Sequence, residues 1–313
     1  ASRLTVHAEA SCRRAMRTET PPEAGPRMSR AHLALLTLLA LLAFAGNSLL
    51  CRAALAHTTI DAASFTLVRL LSGAVVLGLL AWRRGTRGHA RGNGWSAFAL
   101  FAYAAAFSFA YLRLSAAAGA LLLFGAVQAT MIAHGLWSGE RLRPLQVGGQ
   151  VLACGGLVGL VLPGLSAPPL AAALLMLTAG IAWGVYSLRG RGAGDPLQVT
   201  AGNFLRAVPM AAVLSVLLFG QASPDAAGLG YAVLSGALAS GVGYAIWYSA
   251  LPFLRSMTAA TVQLAVPVIA ALGGVFLLGE PLTPRLLVAS AAILGGVALV
   301  VLLGGRGSGT NPK

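Results

Sequence analysis

Acidic residues are scarce in this chain: Asp and Glu number 8 among 313 residues, and all charged residues together make up only 10%. A soluble domain carries about a quarter of its residues as Asp, Glu, Lys and Arg, so there is too little charge here to coat a globule. Lysine occurs once, as Lys313, and the three cysteines, Cys12, Cys51 and Cys154, form neither a CxxC pair nor a Cys/His ligand spacing. A disulfide framework and a metal site are thereby excluded as organising features, and no cofactor is expected. Clustered acids of the DxxxD kind, HExxH and GxSxG are also missing, so the sequence is not read as an enzyme.

What the chain has is apolar length. Hydrophobic residues reach 57% and the mean hydropathy is +0.79. Apolar runs near the roughly 20 residues that cross a bilayer as helix recur from His32 onward. The breaks between them give ten transmembrane helices, over 32–52, 61–82, 95–114, 117–138, 144–162, 169–189, 197–219, 226–250, 256–278 and 284–304. The expectation is an all-α polytopic membrane protein. Residues 1–27 are polar and read as a disordered tail or a non-native extension before Met28, and 306–313 as a cytoplasmic tail.

Net charge is +14, yet the arginines form no surface stripe of the kind that binds nucleic acid. They fall at helix ends. With the N-terminus inside, 17 Lys and Arg lie on that side and only Arg52, Arg113 and Arg285 on the other. Cytoplasmic loops carry the Lys/Arg excess, so both termini are expected inside.

Two segments share the frame Gly-Glu-x-Leu-x-Pro, at Gly139 to Pro144 and at Gly279 to Pro284. Around helices 1 and 6, LAFAGNSLLCR lies over IAWGVYSLRGR at a constant offset of 139, pairing Phe44 with Trp183, Ser48 with Ser187 and Arg52 with Arg191. Arg69 and Arg206 fall in the second helix of each half, and Tyr111 and Tyr248 end the third. The chain therefore reads as two five-helix repeats, 28–165 and 166–305. An odd helix number forces the second copy to enter the membrane from the opposite face, an inverted repeat.

The Arg in helix 2, the Tyr ending helix 3, and the stretch beginning at Gly139, echoed by VPVIAALGGVFLLGEPLTP and the helix after it, resemble the drug/metabolite transporter superfamily in its EamA-type branch. The resemblance covers nearly everything after Met28. It implies ten helices in two inverted repeats and small-molecule transport by alternating access. Where that family has Trp-Gly in helix 1, this chain has Phe44-Ala45, and it keeps the dipeptide in helix 6 as Trp183-Gly184.

Arg69 and Arg206 are the leading site candidates. An ionisable group inside the hydrocarbon is costly and tends to face protein or water, although a guanidinium can equally tie helix ends together. Amides need partners in a membrane, and Asn47, Gln128, Asn203 and Gln263, on helices 1, 4, 7 and 9, could together line a cavity. Tyr186, Tyr244 and Tyr248 complete the pathway set. Tyr244 and Tyr248, one turn apart, suit an inner gate, although aromatics near a helix end more often anchor at the interface. Glu140, Glu280, Pro144, Pro284 and Pro267 are read as structural: each Glu as a corner accepting donors from the helix that follows it, Pro144 and Pro284 as first-turn residues, and Pro267 as the proline within helix 9. Glycine-rich helices 5 and 10 are expected to pack closely, against each other or across a dimer contact.

The expected function is secondary transport of a small metabolite such as an amino acid, by export or exchange, from a multi-pass position in a bacterial inner membrane. A nucleotide-sugar or phosphorylated-sugar carrier is the alternative, and a membrane-embedded enzyme or channel fits less well. The expected partners are a small-molecule substrate and the lipid bilayer, with no nucleic acid, in a monomer or homodimer.

Overall fold

A computed structural model describes residues 29–85, 92–139, 144–162, 167–190, 195–254 and 262–304. Within these, the chain is all helix and turn. In chain order the helices are α1 Arg30–His57, α2 Ala62–Arg83, α3 Gly94–Tyr111, α4 Ala116–Trp137, α5 Pro144–Val161, α6 Leu170–Gly190, α7 Pro196–Leu217, α8 Ala226–Ala250, α9 Ala265–Leu278 and α10 Pro284–Gly304. Helices α1 to α8 are each long and apolar enough to cross a membrane, while the apolar stretches of α9 and α10 are shorter. The protein is therefore an all-α, multi-pass membrane protein. The expected ends are close except that α1 runs to His57, α3 stops at Tyr111 and α9 begins only at Ala265; residues 256–261, expected at the start of helix 9, lie outside the described set.

Polar residues mark the helix starts. The carboxylates of Asp61, Asp195 and Asp225 accept backbone N–H groups from the first turns of α2, α7 and α8. Asn93, Ser115 and Thr283 do the same for α3, α4 and α10. Such caps satisfy donors that have no partner within the helix. Scarce acid is thus spent at membrane faces, and no described Asp or Glu lies within a helix.

The glycine of the repeated frame has a definite use. Gly139 and Gly279 have φ of 90° and 65°, the left-handed backbone that ends a helix, and Pro144 and Pro284 open the next one. Gly-Glu-x-Leu-x-Pro is a helix stop followed by a helix start.

Packing follows a paired scheme. α1 lies against α8 and α9, as α6 lies against α3 and α4; α2 packs on α7, and α5 on α10. The α5–α10 seam is built on glycine: a Cβ at Gly156 would press on Ala292 and Ile293, and one at Gly296 on Gly149 and Ala153. Central α4 is buried along most of its length, whereas leucines and valines of α5, α7 and α10 cover the outside. Trp82, Trp95 and Trp137 stand 77%, 74% and 93% exposed at the ends of α2, α3 and α4 that share one side of the bundle. These are the interfacial aromatics. Tyr244, for which that role is the commoner expectation, is instead buried, as is Trp247 beside it.

Candidate functional site

Arg69 is the eighth residue of α2, about 12 Å below the helix start at 1.5 Å per residue. It is 1% exposed, and among the described residues it is the only charged side chain in the buried set. Its Cζ lies 5.2 Å from the ring centre of Tyr103 and 4.9 Å from that of Phe107, both on α3. Cation–π contact with two faces offsets part of the cost of removing the guanidinium from water. Its Nε and Nη1 nonetheless have no acceptor among the described residues.

A polar thread reaches the same place from two more helices. Asn47 of α1 donates Nδ2–H to the Tyr103 hydroxyl at 3.1 Å, and Ser235 of α8 donates Oγ–H to Asn47 Oδ1 at 2.6 Å. Ser235 opens a π-helical stretch, Ser235–Val242; such widened turns are common at functional sites. Gly236 lets this stretch touch α2, since a Cβ there would collide with Ser72 Oγ and the Arg69 carbonyl.

Beside the arginine is a wall of rings. Trp183 of α6 lies 4.9 Å from Tyr103, 5.2 Å from Tyr244 and 5.4 Å from Tyr186, and Tyr244 also meets Phe44 and Phe204. Further along α6 and α8, the hydroxyls of Tyr186 and Tyr248 face Thr200, and that of Tyr186 also faces Asn203. The rings thus run from Arg69 toward the side bearing most of the arginines.

The opposite side holds a clasp. Glu280, just after α9, pairs through Oε1 with Arg52 Nε of α1 at 2.9 Å and accepts Ala116 N–H of α4 on Oε2 at 2.7 Å. Arg52 also donates to the Tyr111 carbonyl at the end of α3. Gly274 leaves room for the carboxylate to turn back under α9. The Glu280 expectation is corrected in its partner: the carboxylate caps α4, not α10, whose start is capped by Thr283.

Comparison with known proteins decides the family. The model of the EamA-like transporter family matches residues 32–162 and again 170–302. The chain belongs to the EamA-like transporter family. It is a small-molecule transporter of the drug/metabolite transporter superfamily. The uncharacterized protein PA1977 of Pseudomonas aeruginosa is 62% identical over 268 residues, which span 85% of this chain and 93% of that one. The threonine/homoserine exporter RhtA of Escherichia coli K12 is 36% identical over 126 residues, 38% of this chain and 41% of the exporter. A solved crystal structure aligns with a TM-score of 0.65 over 89% of this chain and all of its own, at 22% identity, a likeness of fold alone.

Among the pathway candidates of this EamA-like transporter, Arg69, Asn47 and Tyr244 share the central region, with Tyr186 and Tyr248 further along the rings. Gln128 is buried on α4, and Gln263 is half-buried next to α9. Asn203 is buried but engaged in a loop tie, its Oδ1 accepting Asn93 N–H at 3.0 Å, with Arg189 donating to Ser96 and Asn93 nearby. Arg206 departs from expectation. It is exposed, on the face of α7 shared with Pro209 and exposed Val213, and it donates back to the Gly202 carbonyl at 3.0 Å. Position in the second helix of each half does not dictate direction: α7 turns Asn203, Phe204, Ala207 and Ala211 inward, and Arg206 falls between these and the outer face. Glu140 lies outside the described residues. Buried Pro267 sits in the first turn of α9, Pro144 and Pro284 open α5 and α10, and no kink is asked of any of them.

Sequence reasoning missed Tyr103, Phe107 and Ser235. The signal for the first two was present: Tyr103, Phe107 and Tyr111 recur at every fourth residue of α3, a row of three rings on its buried face. Nothing local marks Ser235.

Proposed function

We propose that the protein is a secondary transporter of small metabolites, amino acids or related solutes, working by export or exchange through alternating access in a bacterial inner membrane. The observation that carries the reading is Arg69: a buried guanidinium with unused donors, placed among rings and hydrogen-bonding side chains from α1, α3, α6 and α8. Arg69, Asn47, Tyr103, Trp183, Tyr244 and Ser235 form the proposed site. Gln128 and Gln263 flank the pathway, and Arg206 is left out of it.

The twofold scheme of helix pairs supports two inverted five-helix repeats, 28–165 and 166–305, whose two triplets, α1–α8–α9 and α3–α4–α6, rock about the site. The Arg52–Glu280 clasp joins these triplets at the outer face and serves as the outer gate. Tyr186, Tyr244 and Tyr248 serve as the inner one. Partial similarity to an exporter named for threonine and homoserine favours amino acids over sugars.

The test is counterflow in proteoliposomes loaded with a metabolite panel. Accumulation of labelled solute against its gradient supports the reading. If no small solute moves in well-folded preparations, it fails.

A further inference from the structure

Resting on that transport reading, we infer that Arg69 is the receptor for a carboxylate of the transported solute, and that the site accepts solutes with a single such anionic group, amino acids among them, in preference to phosphorylated ones.

The argument is one of charge. A guanidinium is a permanent cation with donors in a fixed fork, and leaving it buried and unpaired is expensive. Rings offset some of that cost but cannot accept hydrogen bonds in the guanidinium plane. The acidic side chains among the described residues lie elsewhere: Asp61, Asp195 and Asp225 cap helices, and Glu280 is held by Arg52 and Ala116. An anion brought by the solute would supply both the missing charge and the acceptors for Nε and Nη1.

Stoichiometry then selects the class. A phosphate monoester carries about −1.5 to −2 at neutral pH, which one buried cation cannot balance. Arg206, the second intramembrane arginine, faces away. A carboxylate balances Arg69 one to one. The ammonium of a zwitterion has the π faces of Trp183 and Tyr244 and the hydroxyl of Ser235 within the same region. Loaded with a zwitterion the site keeps only its own charge; loaded with a simple carboxylate it becomes neutral.

Counterflow of L-threonine and L-homoserine is compared with that of their primary amides, with inorganic phosphate as competitor, in the parent, Arg69→Gln, Arg69→Lys and Arg206→Gln. The acids are expected to exchange and the amides not, phosphate is expected not to compete, and Arg206→Gln is expected to match the parent. Arg69→Gln lowers the acid-over-amide ratio by about 10- to 100-fold, as loss of a charged hydrogen bond implies, and Arg69→Lys restores part of it. Amides exchanging as well as their acids in the parent overturns the inference while transport stands, and this arm does not depend on any variant folding. Arg69→Gln exchanging the acids at the parent rate overturns it too, as does competition by phosphate. If acids and amides alike fail to exchange in the parent and only solutes without a carboxylate move from the metabolite panel, the inference is overturned while transport stands; if no solute of the panel moves, both fall.

Discussion

Arg69 and Glu280 illustrate two fates of charge in an apolar bundle. Glu280 finds Arg52 and a helix N-terminus, so its carboxylate is neutralised within the protein and joins four elements at once. Replacing Glu280 by Ala leaves Arg52 mostly buried without its counter-ion and uncaps α4. The expected loss is about 3 kcal/mol, read as a lower thermal unfolding midpoint in detergent; an unchanged midpoint would show that the clasp contributes nothing. Asp61 carries a pH signature. Burial pushes its carboxyl up, but the N–H groups of Ser64 and Ser223 outweigh this and hold it below its ordinary value. The folded state therefore binds this proton less readily than the unfolded state. Its stabilisation is fully present above the unfolded value, about 3.9, and is lost as pH falls through the lower folded value. Asp61→Asn should flatten that part of the acid limb of a stability profile, and an unaltered profile would count against it.

At the scale of elements, glycine decides which helices touch. The α5–α10 seam was legible because both helices are rich in glycine, and small residues in lipid permit close backbone approach, but which glycines lie in it, Gly156 and Gly296 and not Gly155 or Gly295, was not. Gly296→Val should wedge this seam apart against Gly149 and Ala153 and destabilise by about 1 to 3 kcal/mol, whereas Gly295→Val, with open space at its Cβ, should be nearly silent. Equal midpoints for the two variants would refute the seam. Gly236 offers a sharper case. Ala there collides with the Arg69 carbonyl and Ser72, so counterflow should fall even if the protein still inserts, because α8 must move away from the site. The repeated Gly-Glu-x-Leu-x-Pro frame was legible as a corner from its glycine and proline, both of which act locally. The partner of its glutamate was not legible, because Ala116 and Arg52 are brought to Glu280 only by packing of α1, α4 and α9.

At the scale of the molecule, the expected orientation rests on the count of Lys and Arg, 17 against 3. A reporter fused after Ser223, between α7 and α8, should report from the outer side; a cytoplasmic signal there would break the topology. On that orientation the exposed Trp82, Trp95 and Trp137, at the opposite end of the bundle, should be reached by impermeant quenchers from the inner side alone.

By itself the sequence determined that this chain lives in a membrane and where most of its helices start and stop. Those properties follow from apolar length, capping residues and local backbone preference, all set within a turn or two of chain. Only the tertiary structure decided which arginine is buried. Arg69 and Arg206 occupy similar depths in similar helices, and what separates them is the rotation of each helix against its neighbours. That rotation is set by contacts such as Gly236 on Arg69 and Phe204 on Gly73, between residues far apart in the chain.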